Sequence, residues 1–215
     1  FGLKTVSIGY DPITDIKNVP NNPKKRYLVM TKEMPKNGEL SLEMMYQTCG
    51  TQINLDYISE EDFKKKFKII SYLTPLTIAL FSNSAIKKNI PTGFLSYRSK
   101  VWQKTSRGGL PEIFLQDMDF EKYADFSLDF QLLFLYENNQ YNLPRDKSFR
   151  DLVKEGKANY ENFELHLSTI FTELRLKKYI EIRSIDACEW DCHCAGPAFF
   201  IGLIYGNLNE TFELI

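Results

Sequence analysis

Two short runs of strictly alternating polar and apolar residues limit what this chain can fold into. In the first, Gln52, Asn54 and Asp56 alternate with Ile53, Leu55 and Tyr57; in the second, Tyr179, Glu181 and Arg183 alternate with Ile180 and Ile182. A period of two puts every second side chain on one face of a strand. The runs therefore predict strands over 49–57 and 178–183, each with an apolar face for a core and a face carrying amides, carboxylates or a guanidinium. After the first strand the period changes. Ser59, with Asp62 three residues on, predicts a capped helix start, and Phe63, Phe67 and Ile70 follow at helical spacing. Pro75 predicts a kink or split in that helix, which ends near Asn83. Further helices are predicted over 24–33, 119–129 and 160–171, with an apolar helix or buried segment over 197–205. The run 131–136, bounded by Asn138-Asn139, reads as a strand. Residues 1–24 read as a Pro/Asn-rich loop, residues 92–99 as a loop leading into an extended piece, and Arg107-Gly108-Gly109 as a flexible loop. Strands and helices mix without regular βαβ alternation. That predicts an α+β fold, with a largely antiparallel sheet and flanking helices.

With 27 Lys plus Arg against 28 Asp plus Glu, the balance suggests neither general nucleic-acid binding nor attachment to a membrane surface. The longest apolar runs, 76–81 and 195–205, are too short to span a bilayer. Three of the four cysteines crowd into Cys188, Cys192 and Cys194, which is unlike a secreted disulfide framework and points to a reducing compartment, the cytoplasm. The chain opens on Phe1 in mid-pattern and stops without an obvious terminal element, so the expectation is a fragment of a longer protein, with residues 1–23 as a loop-rich lead-in.

The two polar strand faces admit two readings. Gln52, Asn54 and Glu181 together offer oxygen ligands to a hard cation such as Mg²⁺, and Arg183 beside Glu181 suits a phosphate. Equally, such faces can simply meet water on an open antiparallel sheet. Arg98, near Gly93, is a candidate anchor for a carboxylate or a surface ion pair, and Arg26 is a second candidate or a solvated helical arginine. Cys188, Cys192, His193 and Cys194 carry zinc-ligand chemistry in an awkward spacing, a redox pair, or plain free thiols. His166, among apolar neighbours, reads as structural.

A family resemblance enters on several co-linear motifs. Met44-Met45-Tyr46-Gln47-Thr48-Cys49-Gly50-Thr51-Gln52-Ile53-Asn54-Leu55-Asp56 resembles the M-M-x-x-T-C-x-x-Q-x-N-L-D motif of plant- and proteobacterial-type glutamate–cysteine ligases. Gly93-Phe94-Leu95-Ser96-Tyr97-Arg98-Ser99 with Trp102, and Glu173-Leu174-Arg175-Leu176-Lys177-Lys178-Tyr179-Ile180-Glu181-Ile182-Arg183, match further motifs in order and spacing. The resemblance implies a glutamine-synthetase-like fold and one catalytic domain, of which this chain is a part. It implies a ligase that uses ATP and Mg²⁺ to join the γ-carboxylate of L-glutamate to the amino group of L-cysteine, the first step of glutathione synthesis. Carried over by position, Asn54 and Glu181 become metal-site residues with Gln52 beside them. Arg183 meets ATP phosphates, and Arg98 and Arg26 hold the amino-acid substrate. The implied location is cytoplasmic, or plastid for a plant-like source, and homodimerisation of the full-length enzyme stays open.

The departures are specific. The upstream G-T-E-H-E-type motif, with further metal-binding carboxylates, is absent, as is a C-terminal portion. Leu133 stands where the family often has an aromatic of the cysteine pocket, and Ala187-Cys188-Glu189-Trp190 replaces G-G-P-W. Cys194 falls where some members carry a regulatory cysteine, while the paired cysteines of the plant regulatory hairpin have no match around 144–155. A ligase joining glutamate to another amine, and a non-catalytic amino-acid-binding fragment, are the alternatives.

Overall fold

The computed structural model describes residues 2, 4–144 and 146–215. The chain begins with loop and a short 3-10 turn, Ile16–Asn18, and then forms α1 (Lys25–Glu33), α2 (Ser41–Tyr46) and β1 (Gly50–Leu55). The long α3 (Glu60–Leu80) is followed by a hairpin of β2 (Ile86–Lys87) and β3 (Ile90–Pro91), then α4 (Tyr97–Lys104), β4 (Gly108–Gly109) and α5 (Phe120–Asp129). A second hairpin, β5 (Leu135–Glu137) with β6 (Gln140–Asn142), leads to α6 (Phe149–Lys154) and α7 (Tyr160–Leu167). The chain then runs through β7 (Phe171–Thr172), β8 (Leu174–Leu176) and β9 (Ile180–Asp186), and closes with α8 (Ala195–Ile201), a π-helical turn over Gly202–Gly206, and α9 (Leu208–Glu213).

The two alternating runs pair with each other. The main sheet has the order β1-β9-β8 and is antiparallel throughout, with Ile53 opposite Ile182 and Asn54 opposite Glu181. Its apolar face, Ile53, Leu55, Leu174, Ile180 and Ile182, packs with Phe63, Phe67 and Ile70 of α3. On the opposite side lies a second core, Met30, Met34, Met44, Val101, Trp102 and Phe134, from α1 and the 3-10 turn Met34–Lys36 that follows it, α2, α4 and the segment before β5. The architecture is α+β with small antiparallel sheets, as the mixed pattern requires, plus one parallel pair, β4 with β7.

Helix α3 starts as the sequence dictates: the Ser59 hydroxyl accepts from the Asp62 N–H at 3.2 Å, although the Asp62 carboxylate reaches back to the N–H of Ile58 rather than Ser59. Pro75 does not split it. The helix runs unbroken from Glu60 to Leu80, because the proline sits on the exposed side while buried residues on either side fasten the helix to the sheet. Thr77 Oγ lies 3.1 Å from Ser184 Oγ of β9, and the burial of Phe63, Phe67 and Ile70 outweighs one lost helical hydrogen bond.

Other expectations shift. Residues 97–104 are helical, not extended, because Ser96 caps α4 by accepting from the Ser99 N–H. Arg107 and its two glycines are no flexible loop. The Arg107 guanidinium donates to the Thr169 and Gln131 carbonyls at 2.7 Å each, and Gly108 and Gly109 pair with β7. The strand read over 131–136 begins only at Leu135, and Asn138 and Asn139 turn the hairpin with φ of 51° and 61°, the left-handed region asparagine tolerates. The helix read over 160–171 ends at Leu167, and Phe171 joins the β4–β7 pair.

Candidate active site

The polar side of the main sheet has two environments. On β1, Gln52 and Asn54 are exposed and alternate with buried Thr51, Ile53 and Leu55. On β9 every residue is buried, Glu181 and Arg183 included, at 4% and 7% exposure. The water-facing reading therefore fails for β9 and holds for β1. The cause is position: β9 is the central strand, flanked on both edges, with α3 below and the α4 core above.

Glu181 gathers three cations. Its Oε2 accepts from Arg175 Nε at 2.5 Å and Arg183 Nη1 at 3.1 Å, and its Oε1 accepts from Lys177 Nζ at 2.8 Å. Burial works against its charge, but the hydrogen bonds from Arg175 and Lys177 prevail, and the carboxyl is pushed down to about 2. Arg183 is pulled the other way: burial, then the neighbouring Arg175, hold its guanidinium down to about 10, against the support of Glu181. Sequence reasoning gave no role to Arg175 or Lys177, although Glu173, Arg175 and Lys177 alternate with Leu174 and Leu176, the same signal that marked the other two strands.

Arg98 is not in a loop. It lies on the first turn of α4, 2% exposed, and crosses to β9, where Nη2 donates to the Arg183 carbonyl at 2.6 Å. Gly50 makes that approach possible, since a Cβ there would stand 2.7 Å from Arg98 Nη2 and 2.8 Å from the Ile185 carbonyl oxygen. Arg98 Nη1 is 3.7 Å from Asp186 Oδ1, and the Arg98 Nε and Nη1 atoms have no hydrogen-bond partner among the described residues. Asp186, which no sequence signal singled out, anchors this corner. Its carboxylate accepts from the Asn83 N–H, the Ser84 hydroxyl and the Ser96 hydroxyl at 2.8, 2.6 and 3.0 Å. Glu173, also missed, is fully buried. Burial raises its carboxyl above the ordinary range against the pull of Arg98 and Arg183.

Arg26 stands apart on α1. It donates to the Ser168 carbonyl at 3.1 Å and lies 5.8 Å from the Phe134 ring, with burial lowering its pKa and Tyr141 opposing that shift. Asp56 falls just beyond β1, where its N–H donates to the Tyr205 hydroxyl. Asn54 and Glu181 are the right oxygen donors for a magnesium ion and lie opposite each other, but they fit only part of such a site. Three cations already occupy the carboxylate, and among the described residues no group of three or more His, Cys, Asp or Glu side chains could hold a metal.

The cysteines are all free. Cys49, Cys192 and Cys194 are exposed, and burial together with a hydrogen bond that the Cys188 thiol donates to Cys192 pushes that thiol up to about 11. His166 is buried, with Nε2 2.7 Å from the Ser127 carbonyl, and burial lowers it to about 4, the structural part its neighbours suggested. Among the described residues no helix is long and apolar enough to cross a membrane.

Comparison with known proteins agrees with the motifs. The chain is 41% identical over 214 residues to the chloroplastic glutamate–cysteine ligase B of Oryza sativa subsp. japonica, an alignment covering 95% of this chain and 43% of the relative. It is 40% identical over 219 residues to the chloroplastic glutamate–cysteine ligase of Medicago truncatula (97% and 43% covered) and 40% identical over 217 residues to that of Arabidopsis thaliana (96% and 41%). It thus spans less than half the length of these relatives. The model of glutamate-cysteine ligase family 2 matches residues 1–213, and the chain belongs to that family.

Proposed function

We propose that this chain is part of an ATP-dependent ligase that joins the γ-carboxylate of L-glutamate to the amino group of L-cysteine through an acyl phosphate. The observation that carries this reading is the buried set of Arg98, Arg183 and Glu181, with half-buried Arg175 bonded to Glu181, beside the exposed amides of Gln52 and Asn54. A carboxylate is a poor acyl donor because its leaving group is oxide. Transfer of a phosphoryl group to it needs cations held where negative charge accumulates. Arg183, assisted by Arg175 and Lys177, would meet the phosphates of ATP. Arg98 keeps two donor nitrogens without partners among the described residues, available to the amino-acid substrate, and Arg26 offers a second guanidinium from α1. Asn54 and Glu181, with Gln52 beside them, would hold part of a Mg²⁺ site whose other ligands come from phosphate and the rest of the protein. Magnesium there would neutralise phosphate charge. The nucleophile is the substrate's own amine, so the chain needs to supply none.

The glutamine-synthetase-like fold is proposed on the antiparallel sheet backed by α3. Residues 1–215 would form part of a single catalytic domain. Location in the cytoplasm or a plastid is proposed on the free thiols and on relatives named chloroplastic. The test uses the full reading frame that contains this segment, incubated with ATP, Mg²⁺, glutamate and cysteine, with γ-glutamylcysteine read by mass. Product confirms the ligase; glutamate binding without product leaves an amino-acid-binding protein, and product with another amine only moves the acceptor. Light scattering of the same preparation settles dimerisation.

A further inference from the structure

Arg98 and Arg183 are two like charges brought together in the interior, and something must hold them there. Each guanidinium carbon lies 4.9 Å from the centre of the Trp102 indole ring. Trp102 sits four residues after Arg98 on α4, is 5% exposed, and has its ring fixed by Nε1–H donating to Thr48 Oγ1 at 3.3 Å. Indole is the strongest aromatic surface for a cation, and the attraction grows when both partners are desolvated. The carboxylates of the cluster are divided. Asp186 is engaged by the Asn83 N–H and the Ser84 and Ser96 hydroxyls, and Glu181 by Arg175, Lys177 and a single Arg183 nitrogen. Glu173 remains. Its backbone carbonyl accepts from the Arg183 N–H at 2.8 Å, its side chain is 1% exposed, and neither carboxylate oxygen has a partner among the described residues. The Nε atoms of Arg98 and Arg183 are likewise without partners there.

We propose that Trp102 is a positioning residue for Arg98 and Arg183: the indole gives both guanidinium groups one shared, desolvated surface that holds them side by side. What the arginines then bind rests on the ligase reading; the placement itself does not. The unit explains why Arg98 reaches across Gly50 instead of pairing fully with Asp186.

The test uses the full-length protein labelled with ¹⁵N-arginine, with side-chain Nε–H signals assigned through Arg98→Lys and Arg183→Lys. Both signals are expected to be displaced by the indole ring current, to return to ordinary positions in Trp102→Leu, and to stay displaced in Trp102→Phe. In turnover, Trp102→Leu is expected to raise KM for glutamate and for ATP about tenfold with a smaller fall in kcat, whereas Trp102→Phe stays within about threefold. Undisplaced parent signals, or unchanged KM values in folded Trp102→Leu, overturn the proposal. If the parent makes no γ-glutamylcysteine, the ligase reading fails and the spectra still decide the placement. If Trp102→Leu does not fold, the parent spectrum and that of Trp102→Phe decide it.

Discussion

Asn54 and Glu181 stand opposite one another across β1 and β9, yet one is exposed and the other is 4% exposed. A single cross-strand pair therefore spans the boundary between solvent and a buried row of charge. A ligand arriving over Asn54 meets, one strand further in, a carboxylate already holding two arginines and a lysine.

Replacing Glu181 by Gln removes the common partner of Arg175, Lys177 and Arg183. Because Arg183 is then a buried, unbalanced charge while Lys177 can reach water, the cost in stability is about 3 kcal/mol. Turnover by the full-length protein is expected to fall at least about a hundredfold, since the cations lose their aim. Urea unfolding and product formation check the two parts separately; a variant with parental turnover would remove Glu181 from the site.

Gly50→Ala puts a methyl 2.7 Å from Arg98 Nη2 and 2.8 Å from a carbonyl oxygen that cannot swing away. A stability loss of about 1–3 kcal/mol and a raised KM for glutamate are expected. Gly206→Ala, with nothing within 4 Å of its added Cβ, serves as the control and should leave KM unchanged.

The pH dependence of folding should carry the mark of His166. Its carbonyl partner can only accept, so Nε2 carries the proton of a neutral ring. Burial lowers the folded value to about 4 from 6.5, so between those two values the unfolded chain binds a proton that the folded chain does not. Stability is therefore full above pH ~6.5 and declines as pH falls toward ~4, by about 3 kcal/mol in all. Melting curves across that window should be flatter for His166→Gln than for the parent.

Pro75→Ala restores an N–H inside a continuous helix at an exposed position. The variant is expected to gain about 1–3 kcal/mol, less the unfolded-state advantage the proline confers. A lower melting temperature would show that the ring makes a contact worth more than the missing hydrogen bond.

The sequence by itself determined the local pieces. Alternation placed Ile53, Leu55, Ile180 and Ile182 on core faces, Ser59 and Asp119 began helices, and the ordered motifs named the family. These follow from interactions within a few residues, which any reader of the chain can count. Register and depth were decided only in three dimensions. That Asn54 meets Glu181, that β9 is central and so buries the polar face its pattern would have offered to water, and that Asp186, Glu173 and Trp102 converge on two arginines all depend on residues far apart in the chain. Pro75 makes the same point from the other side: a local rule for breaking a helix yields when both flanks are held by tertiary packing. Periodicity says which face a side chain takes, and only the neighbouring strand and helix say whether that face is wet.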